Sequence, residues 1–156
     1  MSQQTAFQDL IPNNHCFGCG PHNSNGLRIK SYWSDRDCSI CHFKPSHHHS
    51  AGPEEYLNGG IIATLIDCHC ICTAIAKAYQ LEDREIGTGE SVWYVTGQLT
   101  VRYKHPARLD REVELRAEVL EIDDRKIVVE CDVYSDSKCC ATGEVIAIRV
   151  ASDWIK

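Results

Sequence analysis

The chain has 156 residues, of which 43% are hydrophobic. We therefore expect a single domain, residues 1–156, with one packed core, and exclude a disordered chain. The formal net charge of −6 argues against a nucleic-acid-binding protein, which would carry a basic face. No apolar run approaches the roughly 20 residues of a membrane span, and the N-terminus lacks the basic and apolar regions of a secretory signal. We expect a cytoplasmic protein without nucleic-acid or membrane partners, whose ten cysteines are reduced thiols.

In chain order, the sequence predicts an arm, two strands, a loop, one long helix and four further strands. The arm, residues 1–26, is predicted to be irregular because it closes on a run of turn-forming residues. Residues 58–80 have no proline and no strict alternation of apolar and polar residues, and they are too many for a typical strand. The other elements are strands at about 27–33 and 38–43, a loop at 44–57, and strands at 92–104, 112–121, 126–134 and 138–150.

The predicted helix, residues 58–80, is apolar on nearly every side, which is typical of a helix that is buried all round. Asn58 suits its N-cap, and Lys77 lies near its C-terminal end, where a cation is favoured. Two of the later strands alternate cleanly between apolar and polar residues, so each has one buried face. The simplest way to cover such a helix is an antiparallel β-sheet wrapped around it, which gives an α+β fold with one long central helix.

Asp67 lies in the middle of this helix, where a carboxylate is costly to bury unless it is paired or hydrogen-bonded. Either it is a structural aspartate bonded to a polar neighbour, or it faces a substrate. At about 100° per residue, the residues that share its face are mostly small: Gly60, Ala63, Thr64, Ile71 and Ala74. Such a face favours a narrow channel in which a substrate approaches the carboxylate.

The helix opens with Asn58-Gly59-Gly60, which predicts an anion-binding helix N-terminus. The first N–H groups of a helix have no partner within it, and the helix dipole favours negative charge there. Two glycines allow a substrate to approach these N–H groups closely. A thioester carbonyl oxygen that develops negative charge could therefore bind there. The alternatives are a plain N-cap for the asparagine and a tight turn for the glycines.

Three motifs together resemble the PaaI-like hotdog-fold acyl-CoA thioesterases: CFGCG at 16–20 followed by GL at 26–27, NGGIIATLID at 58–67, and YVTGQLTVRYKHP at 94–106. The resemblance covers roughly residues 15–150 and implies a hotdog fold. It also implies hydrolysis of an acyl-CoA-type thioester to a free acid and a thiol, without a cofactor, by a homodimer or a dimer of dimers.

The resemblance also implies the roles of several residues. Asp67 is then the nucleophile or general base, the Gly60 N–H stabilises the oxyanion, and Thr96 positions the attacking water. The family usually has a histidine where this chain has Asn58; an amide still donates a hydrogen bond but cannot act as an acid. Further contacts to the substrate are expected from Gly59, Thr64 and His49.

One helix does not place Gly60 and Asp67 on the same carbonyl group, because seven residues at about 1.5 Å per residue separate them by about 10 Å. Two helices packed antiparallel about a two-fold axis would bring Gly60 of one chain to Asp67 of the other. We therefore expect active sites that are shared between two chains.

Two other functions stay open. Four cysteines have the spacing of a zinc site, which would make the chain a zinc-stapled binding module without catalysis: Cys16, Cys19, Cys38 and Cys41. Cys38 and Cys41 point to opposite faces of a predicted strand, but His15 and His22 flank the first pair and could complete a site instead. We expect no bound metal. The second alternative is a hotdog dehydratase or hydratase acting on acyl thioesters, but no histidine leads the helix as such enzymes require.

Two groups of basic residues have two interpretations each. The run His47 to His49 precedes the helix and lies either in solvent or at the mouth of the pocket. A second group is either an ordinary exposed strand end or the contact for the phosphates of CoA, and it consists of Arg102, Lys104, His105 and Arg108.

Overall fold

The computed structural model describes residues 3–155, which form one antiparallel sheet with a long helix against it. The elements are α1 Phe7–Leu10, β1 Ser31–Trp33, β2 Cys38–Phe43, a 3-10 turn at His47–His49, α2 Gly59–Leu81, β3 Trp93–Tyr103, β4 Val113–Ile122, β5 Lys126–Ser135, β6 Lys138–Val150 and a 3-10 turn at Ser152–Ile155. The predicted order of two strands, a long helix and four strands is confirmed. The bounds of α2 and of β2 to β6 agree with the prediction to within one residue at each end.

The sheet has six strands in the order β1-β2-β4-β5-β6-β3, and every neighbouring pair is antiparallel. The helix α2 packs against one face and contacts β1 and β3 to β6, so the sheet wraps around it as predicted. The strands β1 and β3 form the two edges. Because β3 has 11 residues and pairs only with β6 in the described chain, it leaves a long row of backbone groups unpaired.

The core lies between α2 and the inner face of the sheet. The positions predicted to point inward are all buried: Val113, Leu115, Ala117 and Val119 in β4, and Ile127, Val129, Cys131 and Val133 in β5. They form one cluster with α2, whose Leu65 and Ile66 are fully buried. The period of two in the strands therefore determines which side chains meet the helix.

The helix α2 is buried all round only in its C-terminal half. Along its N-terminal half Gly60 is exposed, and Thr64, Asp67 and Ile71 are partly exposed. The prediction that the helix is buried on every side is wrong here, because the arm and β3 lie beside this stripe without closing over it. The accessible stripe is the face on which the sequence placed the candidate carboxylate.

By length and composition α2 could cross a membrane, since it has 23 residues and contains a window with a mean hydropathy of 1.7. The expectation that no apolar segment approaches this length is therefore wrong. In the structure, 61% of that window is buried inside the protein. The core helix of a soluble protein passes the same test, so the match gives only weak support for a membrane span.

A buried polar network fixes the rotation of α2 about its own axis. His69 Nδ1 lies 2.7 Å from the Ser31 hydroxyl of β1, and His69 Nε2 lies 3.2 Å from the Ser39 hydroxyl of β2. Ser39 Oγ also lies 2.6 Å from Thr73 Oγ1, one turn further along α2. Burial lowers the pKa of His69 to about 4, so the neutral ring both donates and accepts. Asp67, two residues earlier and turned by about 200°, therefore points away from this network.

The described part of the N-terminal arm, residues 3–26, packs on α2, so the prediction that residues 1–26 are irregular is wrong in part. The arm contains α1, and Gly18 lies so close to α2 that a Cβ there would be 2.2 Å from Cys68 Sγ. Leu27 N–H donates to Phe17 O at 2.8 Å. The residues before β1 thus pair with the arm and not with the sheet, and β1 is shorter than predicted.

Candidate active site

The N-terminus of α2 is capped by the side chain of Asn58. Its Oδ1 accepts hydrogen bonds from Gly60 N–H at 2.7 Å and from Ile61 N–H at 3.1 Å, and its own N–H donates to His49 O at 2.9 Å. The predicted N-cap is therefore present. The Gly60 N–H, which the sequence assigns to an oxyanion, is already engaged by the cap in this structure.

Asp67 is held by Thr96 of β3. Thr96 Oγ1 donates to Asp67 Oδ1 at 2.5 Å. Thr96 stands at an irregularity of β3, where the register against β6 shifts between Thr96 and Gln98. The residue between them has no room for a side chain, because a Cβ on Gly97 would lie 2.6 Å from Ile148 Cγ1. The structure thus brings together two residues that the sequence singled out.

The environment of Asp67 suits a base. Burial raises the pKa of Asp67 above that of a free aspartate. The hydrogen bond from Thr96 acts in the opposite direction because it stabilises the carboxylate. An ionised carboxylate with a raised pKa is a stronger base than one in water, which is what a nucleophile or general base requires.

Asp67 and Thr96 open into a cavity of about 230 Å³ between the arm, α2 and β3. The rest of its lining is mostly apolar or sulfur-bearing: Ile11, Asn14, Cys16, Cys19, Cys68, Ile71, Cys72, Ile75, Trp93, Tyr94 and Val95. Such a cavity fits an apolar group with one polar contact point. A larger groove of about 560 Å³ lies between α1 and the C-terminal end of α2, but its arginine, Arg84, is already paired with Glu82. We therefore assign the site to the smaller cavity.

The other residues at the start of α2 lie outside this cavity. Thr64 Oγ1 donates to Gly60 O at 3.0 Å. Gly59 O accepts a hydrogen bond from Tyr103 Oη at 2.6 Å. Gly60 is not part of the lining that contains Asp67, so one chain does not bring the two to the same point. Tyr103 was not predicted as a site residue, although it lies within the motif at 94–106.

His49 does not reach the cavity. Its side chain is buried, its ring lies 5.6 Å from that of Phe43, and its Nδ1 accepts a hydrogen bond from Ser46 N–H at 2.9 Å. Burial lowers the pKa of His49, and the neighbouring His48 lowers it further. The expected contact of His49 with substrate therefore finds no support in the position of the ring; only its backbone oxygen holds Asn58.

Three exposed basic residues lie at the end of β3. Arg108 donates to both carboxylate oxygens of Asp110, at 2.9 Å each, and is therefore already paired. Arg102, Lys104 and His105 are exposed. They flank Tyr103 and so lie close to the N-terminus of α2.

The four cysteines with the spacing of a zinc site do not come together. Cys41 is fully buried in β2 and Cys38 is only partly buried, in agreement with opposite faces of the strand. Instead, the Sγ atoms of Cys16, Cys19 and Cys68 all lie within 4.8 Å of one another. Among residues 3–155, this is the one group of three or more side chains with the spacing of metal ligands. The signal that sequence reasoning missed is the cysteine pair of α2 at positions 68 and 72.

Comparison with known protein families shows to which family the chain belongs. The family model of the thioesterase superfamily matches residues 54–141, which is more than half of the chain. The chain therefore belongs to the thioesterase superfamily. It is similar, at 32% identity, to a thioesterase superfamily protein from Shewanella loihica, with 89% of this chain and 96% of that chain covered and a TM-score of 0.67.

Two further solved structures share the hotdog fold at lower identity. The PaaI protein of the Escherichia coli phenylacetic acid degradation operon is 14% identical, with 80% of this chain and 81% of that chain covered and a TM-score of 0.64. A thioesterase from Haemophilus influenzae is 16% identical, with 83% and 85% covered and a TM-score of 0.66. No protein with a curated description matches the chain in sequence. The resemblance to the PaaI-like hotdog thioesterases is thus confirmed at the level of family and fold.

Proposed function

We propose that the chain is a thioesterase that hydrolyses an acyl-CoA-type thioester to a free acid and a thiol. The observation that carries the proposal is the hydrogen-bonded pair of Asp67 and Thr96 at the wall of an apolar cavity, in a member of the thioesterase superfamily. The acyl group occupies the cavity, and the thioester carbonyl lies beside the carboxylate. The reduced cysteines suit the cytoplasm, which we propose as the compartment.

Asp67 supplies the attacking group in one of two ways. As a nucleophile, its carboxylate oxygen attacks the carbonyl carbon, the thiolate leaves, and water hydrolyses the resulting anhydride. As a general base, it takes a proton from a water that Thr96 orients through the free lone pairs of its hydroxyl. A CoA thiolate is a good leaving group, so neither route requires an acid at Asn58.

The oxyanion is stabilised at the N-terminus of α2 once the cap is released. Gly60 N–H donates to Asn58 Oδ1 at 2.7 Å, so the substrate oxygen replaces that acceptor. Asn58 is exposed, so its side chain can turn once its bonds to Gly60 and Ile61 are released. Rotation of the amide presents Nδ2, which is a donor, to the same oxygen, so that Asn58 and Gly60 both donate to the developing charge.

We further propose a homodimer, or a dimer of dimers, in which each active site is shared. Within one chain, Gly60 and Asp67 are about 10 Å apart along α2. The unpaired edge of β3 has 11 residues and exposes 36% of Leu99 and 53% of Tyr103. Pairing of β3 with β3 of a second copy about a two-fold axis would satisfy this edge and place the two α2 helices side by side and antiparallel. Gly60 of one chain would then face Asp67 of the other.

The central test is thiol release from a panel of acyl-CoAs by the wild type and by Asp67→Asn. Asparagine keeps the shape of the side chain and removes its charge, so we expect activity to fall by at least about a hundredfold. Asp124→Asn, in an exposed turn between β4 and β5, is the matched control and should keep full activity. If a folded Asp67→Asn protein turns over at the wild-type rate, Asp67 is only structural.

Shared sites are tested by mixing two inactive variants, Asp67→Asn and Gly60→Pro. Proline is tolerated in the first turn of a helix. At position 60 it removes the N–H together with its bond to Asn58 Oδ1, and its Cβ would lie 2.9 Å from that oxygen, so the fold of each variant is checked before mixing. After exchange of subunits, each mixed dimer has one intact site of two, so an equal mixture should recover about a quarter of the wild-type activity. Full activity in a strictly monomeric wild-type enzyme would contradict the shared site.

A further inference from the structure

Two pairs of cysteine sulfurs are in contact where the N-terminal arm crosses α2. Cys16 Sγ lies 3.6 Å from Cys68 Sγ, and Cys19 Sγ lies 3.7 Å from Cys72 Sγ. The sulfurs of Cys16, Cys19 and Cys68 are all within 4.8 Å of one another. We call these four residues the thiol cluster. Two of them come from the arm, and two lie one turn apart on α2.

We propose that the thiol cluster binds one Zn²⁺ ion through its four sulfurs. Tetrahedral zinc with thiolate ligands has Zn–S bonds of about 2.3 Å, which sets the distance between two sulfurs at about 3.8 Å. The two distances between the arm and α2, 3.6 and 3.7 Å, are close to that value and far above the roughly 2.05 Å of a disulfide bond. Three sulfurs, those of Cys16, Cys19 and Cys68, form one face of the tetrahedron. Cys72 Sγ contacts Cys19 Sγ at 3.7 Å but lies outside that group of three, so its side chain would turn toward the ion to supply the fourth ligand.

The arm is shaped so that its thiols reach α2. A Cβ on Gly18 would lie 2.2 Å from Cys68 Sγ, so a residue with a side chain at this position would push the arm away. Asn14 Nδ2 donates to Cys19 Sγ at 3.5 Å, a contact that would also stabilise a metal-bound thiolate. The approach of the arm and a donor directed at a sulfur are features that ordinary packing of buried cysteines does not require.

The chemistry of the ligands selects the metal. Thiolates are soft ligands that favour Zn²⁺ over Mg²⁺ and Ca²⁺. Binding turns four thiols into four thiolates and releases four protons to solvent. Because all four positions around the ion are taken by protein, the ion activates no water and its role is structural. The thiol cluster lines the same cavity as Asp67, so the ion would fix the arm as one wall of that cavity.

Metal content tests the proposal without any measurement of hydrolysis. The wild type and its variants are purified in reducing buffer without chelator, loaded with Zn²⁺ and desalted. We expect about one zinc per chain in the wild type and loss of most of it when any residue of the thiol cluster is replaced by serine. Cys38→Ser is the matched control, because Cys38 lies in β2 outside the cluster, and it should keep its zinc. Wild-type protein that retains no zinc, or an equal loss in Cys38→Ser, would overturn the proposal.

Cobalt spectroscopy identifies the ligands even where a variant folds poorly. In the wild type, Co²⁺ held by four thiolates should give the strong visible absorption of a tetrahedral site together with sulfur-to-cobalt charge-transfer bands. The weak spectrum of aqueous Co²⁺ would overturn the site, and an unchanged spectrum in Cys72→Ser would overturn the fourth ligand. Wild-type protein that retains no zinc after loading but hydrolyses thioesters would refute the metal site alone. Protein that retains zinc but does not hydrolyse thioesters would refute only the proposed function.

Discussion

Replacement of Thr96 by valine removes one hydrogen bond from Asp67 and leaves the shape of the side chain nearly unchanged. Thr96 Oγ1 donates to Asp67 Oδ1 at 2.5 Å, and a hydrogen bond to a charged group contributes about 1.5–3 kcal/mol. Because Asp67 is partly exposed, water replaces part of the lost bond, which reduces the expected cost to about 1–2 kcal/mol. At about 1.4 kcal/mol per factor of ten, kcat/KM should fall about five- to thirtyfold.

The assay is the initial rate of thiol release at fixed pH and ionic strength, with the acyl-CoA well below KM. Thr96→Ser keeps the hydroxyl and loses only a methyl group, so it should stay close to the wild type. Unfolding of each variant is followed in parallel to show that the fold is intact. Wild-type kcat/KM in Thr96→Val would refute the role of this hydrogen bond, and equal losses in both variants would assign the effect to the methyl group.

Two further predictions concern the fold that positions the site. Gly143→Ala should lower the free energy of unfolding by about 1–3 kcal/mol, because a Cβ there would lie 2.6 Å from Ile66 Cγ2. Ile66→Leu lacks that methyl group and should restore part of the loss in denaturant unfolding; strictly additive effects would contradict this contact. Lys77 is buried and its Nζ lies 2.6 Å from Asp37 Oδ1, which holds the pKa of Asp37 below its usual value. The stability from this pair is therefore present above about pH 4 and is lost as the pH falls through the pKa of folded Asp37. Asp37→Asn should remove this loss from thermal unfolding curves, and an unchanged acid dependence would show that the pair contributes nothing.

The sequence predicts the long elements well because each carries its own local signal. The strands alternate with a period of two, and α2 is a long apolar segment with an asparagine at its start. The arm carries no such signal, since its order comes from contacts with residues far along the chain, such as Gly18 against Cys68. Lys77 shows the same limit: its position near the helix end suggested an interaction with the helix dipole, but it binds Asp37, 40 residues away.

The site was predictable in part for the same reason. Asp67 is conspicuous as an acid in an apolar helix, and Thr96 belongs to the motif that carries the family resemblance. The engagement of Gly60 by its own cap and the burial of His49 depend on side-chain conformations that the sequence pattern does not specify. The arm cysteines have a regular spacing to Cys38 in the sequence, but their neighbours in space come from α2.

The histidine network holds one side of α2, and the candidate active site lies on the other side. The contacts of His69 come from β1 and β2, whereas Thr96 lies on β3 at the opposite edge of the sheet. Cavity-lining residues of the arm and β3 other than Thr96 can therefore be exchanged without changing the rotation of α2 that directs Asp67 into the cavity. Under the proposed function, the direction of attack and the choice of acyl group would then depend on different residues. A new substrate preference would need only a few changes in the cavity lining, and the reaction itself would be retained.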